Sequence, residues 1–153
     1  MTTSRKPDAQ EIQAHLKNLK DQTWLGQARA WWPDFLFRFD NIDAAAKILN
    51  NGKLLSRAAA AAAGVIATDS ASPAIIETTA EQWKQYVRLY FRPRTPTQYD
   101  SEGFRPPNQY VLGAHCPVPV VMLFDAVEIL TRTDTEFSEG NLAANANTGR
   151  SAA

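Results

Sequence analysis

Gln85–Tyr99, QYVRLYFRPRTPTQY, is the stretch around which the rest of the chain is organised. Its first half alternates. Val87, Leu89 and Phe91 fall on one face and Tyr86, Arg88, Tyr90 and Arg92 on the other, the two-residue period of a β-strand. Pro93 and Pro96 cannot donate to a sheet, so the strand is expected to end there in a stiffened loop that presents Arg92, Arg94 and Tyr99. One apolar face backed by an aromatic-cationic face suits a planar, anionic ligand. It also suits a core strand whose arginines reach water past half-buried tyrosines. Residue pattern leaves both readings open.

The surroundings narrow the partners. The 153 residues make one domain with a single substantial core. With 16 basic and 16 acidic side chains there is no global attraction to nucleic acid or to a membrane, so any electrostatic footprint is local. Between Tyr86 and Arg105, Arg88, Arg92, Arg94 and Arg105 face only Asp100 and Glu102. They are interleaved with Tyr86, Tyr90, Phe91, Tyr99 and Phe104. A lone cysteine, Cys116, excludes an intrachain disulfide and a cysteine-based zinc site, and His15 and His115 are too few for a histidine metal centre, so no metal is expected. The N-terminus MTTSRKPDAQ has no apolar leader and no long apolar run follows it, which reads as a soluble cytoplasmic protein with no membrane association.

In chain order, residues 1–7 are expected to be disordered. Asp8 then caps a helix to about Asp21 with Ile12, Leu16 and Leu19 on its apolar face, and His15 beside that stripe reads as a surface residue. Trp24, Trp31 and Trp32 are expected to pack this helix onto the core. FLFRF (35–39) reads as a strand; Asp40 or Asp43 caps the helix after it, and Asn51-Gly52 ends that helix in the left-handed conformation. Lys53–Leu55 is a short extended piece, and the alanine run 58–63 is helix-favouring up to Gly64. Residues 67–74 read as a loop, and Thr79–Gln82 (TAEQ) as a capping box that opens a short helix near Trp83. Asp100–Gly113 is a polar excursion. VPVVMLF (118–124) reads as a strand buried on both faces, with Pro119 against full pairing at its start, and Asp125–Leu130 as a helical turn. Leu142–Ala153 forms a small polar tail. No GxGxxG opening a helix, Walker A sequence or GxSxG is present. Strands separated by irregular loops rather than regular crossover helices indicate an α+β fold.

Three places carry chemistry. Arg38 lies inside an apolar strand, where a guanidinium needs a partner or solvent. Asp40 or Asp43 can supply that partner, and the helix start beside it offers N–H groups to a phosphate. The YFRPRTPTQY arm is the second. The third is His115-Cys116-Pro117, a weak nucleophile candidate because adjacent strand positions point apart.

FRFDNIDAAAKILNNGKLLSR (37–57), YVRLYFRPRTPTQY (86–99), HCPVPVVMLFD (115–125) and TDTEFSEGNLA (133–143), in that order, resemble the blocks of DarT-type DNA ADP-ribosyltransferases, the toxin half of a toxin–antitoxin pair. The resemblance implies an ADP-ribosyltransferase-like split sheet with helices, incomplete at its C-terminus, that binds NAD in a cleft and transfers ADP-ribose onto a base of single-stranded DNA. It implies a macrodomain antitoxin as partner. It places Arg38 and Asn41 at the NAD site with Leu54 and Arg57 on its far side, and Tyr90, Arg92, Arg94 and Tyr99 between NAD and the DNA strand. The resemblance makes 35–143 the transferase-like domain, and the residue pattern makes 1–34 an N-terminal helical segment packed on the core and 144–153 a disordered tail. Arg38 stands where the family usually carries histidine, and no arginine lies between Thr68 and Thr79, where many relatives have one. The family's catalytic glutamate is expected past the Glu139-Gly140-Asn141 motif and beyond Ala153, so no catalytic residue is assigned. The alternative expectation is a domain that binds NAD and nucleic acid without turnover.

Overall fold

The computed structural model describes residues 4–65, 72–111, 113–138 and 148–149. In order these form α1 (Ala9–Lys20), β1 (Phe35–Asn41), α2 (Ile42–Asn51), α3 (Arg57–Ala62), α4 (Pro73–Thr78), α5 (Glu81–Lys84), α6 (Pro96–Ser101), β2 (Pro119–Asp125), α7 (Ala126–Leu130), β3 (Phe137–Ser138) and β4 (Thr148–Gly149). Single 3₁₀ turns lie at Gln27–Arg29, Trp32–Asp34 and Pro107–Gln109. β1 and β2 pair antiparallel along their whole length, from Phe35 opposite Asp125 to Asn41 opposite Pro119. β3 and β4 form a second, separate two-stranded pair. The expected α+β arrangement with a split sheet is the one the chain adopts. The Glu139-Gly140-Asn141 motif and all of the expected tail except Thr148–Gly149 lie outside the described residues.

β1 is the axis because both its faces are covered. Leu36 joins Leu16 of α1 and Ala126 of α7 in the buried core, with Ile12, Leu19, Phe124, Val127 and Leu130 packed around them. The i, i+4, i+7 spacing of Ile12, Leu16 and Leu19 puts all three on that side of α1. On the opposite face Phe37 is buried beneath Trp31, whose ring meets it edge-on at 5.6 Å and also meets Phe35 at 6.1 Å. Trp31 therefore packs on β1 from the face away from α1 rather than joining that helix to the core as expected, and Trp24 is 69% exposed.

Several local expectations are corrected. Residues 4–6 are held: Lys6 N–H donates to the Thr131 carbonyl (2.7 Å) and Thr133 N–H to the Ser4 carbonyl (3.1 Å). β2 is not buried on both faces, because β1 is its one partner among the described residues and Val121 and Leu123 remain 39% and 47% exposed. The cap of α2 is neither Asp40 nor Asp43 but Asn41, whose Oδ1 accepts the Ala44 N–H at 2.8 Å. That helix does end at Gly52, in the left-handed region at φ 62°. The expected loop at 67–74 gives way at Pro73, the first residue of α4 behind Ser72 as cap. Thr79 closes α4, its Oγ1 donating to the Ile75 carbonyl at 2.7 Å, so it does not open α5 as a capping box. The polar stretch from Asp100 begins inside α6 and is tied down where Cys116 N–H donates to the Ser101 carbonyl at 2.8 Å.

Candidate functional site

The Gln85–Tyr99 arm is not a strand. It touches the sheet at one bridge, where Phe37 and Tyr90 exchange both backbone hydrogen bonds at 2.7 and 2.8 Å. Pro93 and Pro96 lack donors, so the ladder cannot continue. The chain turns instead, and Thr95 starts α6: its Oγ1 accepts the Gln98 N–H at 3.2 Å, and Pro96 occupies the first turn with its φ already helical. Tyr99 is therefore carried by a short helix rather than by a loop, and is 75% exposed. Arg105 folds back on the end of α6, donating to the carbonyls of Tyr99 (3.2 Å) and Asp100 (3.0 Å), where cations favour a helix terminus. Arg92 and Arg94 are exposed between the bridge and α6.

The bridge brings the arm's inner half against Arg38. The Arg38 guanidinium is half-buried and engaged at three nitrogens: Nε donates to Asp40 Oδ2 (2.6 Å), Nη2 to Asp40 Oδ1 (3.2 Å) and Nη1 to the Arg88 carbonyl (3.3 Å). The pairing of Arg38 with Asp40, open in the sequence, is what forms, because residues two apart on a strand share a face. Asn41 is 5% exposed, with its side-chain oxygen committed to the α2 cap. Leu54 is half-buried in the extended link to α3, and Arg57 is half-buried at the start of that helix, behind the cap Ser56.

Sequence reasoning gave no role to Arg88, and the fold makes it the centre of the cluster. It is half-buried, and burial holds its guanidinium below the ordinary value. The Tyr90 phenol acts in the opposite sense, whereas the charges of Arg57 and Arg38 add to the lowering. Arg38 and Arg57 thus each lie within electrostatic reach of Arg88, and Asp40 is committed to Arg38. The signal was present in the alternation, which set Arg88 on the charged face between Tyr86 and Tyr90.

Arg88 and Arg57, with Tyr90 beside Arg88 and Arg38 offset by Asp40, form a half-buried group of basic residues. Arg92, Arg94 and Tyr99 extend it outward as a solvated aromatic-cationic edge. Such an edge fits a phosphate-bearing strand with unstacked bases. The third candidate separates: His115 stacks on Tyr110 at 4.1 Å with Nε2 3.1 Å from the Gly103 carbonyl, while Cys116 is fully buried. A cavity of about 710 Å³ lies elsewhere, among α1, the tryptophan segment, Phe35, Phe91 and Phe137. It is lined by none of Arg38, Asn41, Arg57 or Arg88. Among the described residues no group of three or more His, Cys, Asp or Glu could hold a metal ion.

No curated protein and no solved structure matches the chain. A family model does: the one described as ssDNA thymidine ADP-ribosyltransferase, DarT, matches residues 37–152, from the middle of β1 through the arm and β2. With the match covering most of its length, the chain belongs to the DarT family of ssDNA thymidine ADP-ribosyltransferases.

Proposed function

We propose that this chain uses NAD to place ADP-ribose on a thymine base of single-stranded DNA. Membership of the DarT family carries the reading. The geometry supports it: an inner cationic cluster, Arg38, Arg57 and Arg88, adjoins an outer edge formed by Arg92, Arg94 and Tyr99. In this reading Arg38, Asn41, Leu54 and Arg57 surround the dinucleotide. Tyr90, Arg92, Arg94 and Tyr99 stand between it and the DNA.

The chemistry follows from that division. The bond from the ribose C1′ to the nicotinamide nitrogen breaks, and its electron pair leaves on nicotinamide. A nucleophilic atom of the base supplies a pair to C1′ and gives up its proton. Charge builds on the ribose as the bond breaks, so electrostatic support there sets the rate. An unpaired base is the accessible acceptor, which accounts for a single strand as substrate. Stacking on Tyr99 contributes about 1–3 kcal/mol per base.

The family resemblance extends the proposal to a toxin opposed by a macrodomain antitoxin in the cytoplasm, and to residues 35–143 as the transferase domain with 1–34 packed on it. None of the described helices is long and apolar enough to cross a membrane. The test is incubation with NAD labelled in its ADP-ribose and a thymidine-containing single strand. Label on the DNA with stoichiometric nicotinamide release is expected. Binding of both ligands without transfer selects the non-catalytic reading, and binding of neither overturns both.

A further inference from the structure

We propose that the cavity among α1, the tryptophan segment and the arm receives an unpaired base of the DNA strand, distinct from the base that is modified. The assignment rests on the single-stranded DNA reading above. The cavity, about 710 Å³, is of a size that encloses a small planar group. Its floor is the buried core, Leu16 and Ala126. Its walls carry five aromatic rings from separate stretches of chain: Trp24, Trp32, Phe35, Phe91 and Phe137. Trp24, Phe91 and Phe137 are exposed although each meets the same hollow. Large rings left in water around one concavity mark a surface that a ligand covers, whereas rings scattered singly do not. With His15 neutral, the charged side chains of the lining, Lys6, Asp8, Glu11 and Arg29, cancel, so the cavity suits a neutral planar group and not a phosphate. A nucleobase has that character. Every base offers a face for stacking, and Trp24 and Trp32 each bring an indole N–H, a donor suited to a base carbonyl. Phe91 supplies the continuity with the DNA edge. Among the described residues it is the one member of the Gln85–Tyr99 arm on the lining, and the next residue is Arg92, exposed at the solvated edge. A strand whose phosphates meet Arg92 and Arg94 runs beside the cavity and has a base to turn into it.

The experiment titrates the full chain with a thymidine-containing single strand and with the same strand carrying one abasic residue, walked along its length. It compares wild type with Trp24→Ala/Phe91→Ala, two exposed positions whose truncation is expected to leave the melting temperature unchanged. Wild type is expected to lose about 5- to 150-fold in affinity when the abasic residue falls at the cavity, the loss of one stacked base. The variant binds the intact strand with that lower affinity and is indifferent to an abasic residue at that one position. Its logarithmic salt dependence runs parallel to that of wild type, because stacking releases no counterions. Equal affinity of wild type and variant for the intact strand overturns the assignment and leaves the DNA reading standing. Wild type that binds no single strand overturns both. A variant that is weaker yet still responds to every abasic position, or whose salt line flattens, shows that the rings shape the arm without receiving a base, and overturns the assignment. So does a concentration-dependent dimer that the variant abolishes with DNA affinity intact, which makes the cavity a contact between copies of the chain.

Discussion

Arg38 and Asp40, two positions apart on β1, are joined by two side-chain hydrogen bonds of 2.6 and 3.2 Å, and this pair sets the charge of the inner site. Asp40 anchors Arg38 so that its remaining nitrogen reaches the Arg88 carbonyl. Asp40→Ala leaves a half-buried guanidinium without its carboxylate. The variant is expected to be about 1–2 kcal/mol less stable in urea unfolding, between the values for exposed and for fully buried pairs. An unchanged midpoint refutes this role for the pair.

Asn41 sits next in sequence and acts differently. Its oxygen caps α2, so Asn41→Ala is expected to cost about 1 kcal/mol, and Asn41→Ser, which restores an acceptor at the same place, to recover most of it. If serine is no better than alanine in thermal unfolding, the cap is not what makes Asn41 matter.

Arg92 and Arg94 are exposed, so their effect on a ligand is electrostatic. Arg92→Ala/Arg94→Ala is expected to lower single-strand affinity and to flatten its logarithmic salt dependence by about 1.4, each phosphate contact on a single strand being worth about 0.7. Fold stability is expected to stay within experimental error. A parallel salt line for the variant means that neither arginine meets a DNA phosphate.

Arg132 grips Asp134 through Nε and Nη2, at 2.9 and 2.7 Å, beside the backbone contacts that hold residues 4–6. That hydrogen-bonded guanidinium holds the Asp134 carboxyl below its ordinary value, with slight burial opposing it. A carboxyl lowered on folding stabilises the native state above its ordinary range, and the contribution disappears as pH falls through the lowered value. Asp134→Asn is therefore expected to flatten the acid side of the stability curve and to leave the alkaline side unchanged. The difference shrinks in high salt because the pair is exposed. A carboxyl that titrates in the ordinary range in the native protein contradicts this.

Local signals were legible where one residue type decides the geometry. Gly52 had to end α2, the Ile12, Leu16 and Leu19 stripe had to face a core, and Phe35–Phe39 had to be a strand. Where two signals shared a form, the sequence could not rank them. Thr79–Gln82 and Thr95–Gln98 both read Thr-x-x-Gln, yet Thr79 ends a helix and Thr95 begins one. Pro96 is the difference, since it fits the first helical turn and bars the strand that alternation suggested. Alternation misled again at Gln85–Phe91, because a strand needs a neighbour along its length and Tyr90 alone finds one, at Phe37.

By itself, then, the sequence determined the α+β class, the family blocks and the residue types able to meet a dinucleotide and a strand of DNA. Tertiary structure decided which of those residues share a site. Arg38 and Arg57 are far from Arg88 in the chain, and the fold brings each within electrostatic reach of it. Burial is a property of that convergence and not of any one residue, which is why the desolvated Arg88 could not be told from the solvated Arg92 and Arg94 until the chain was folded.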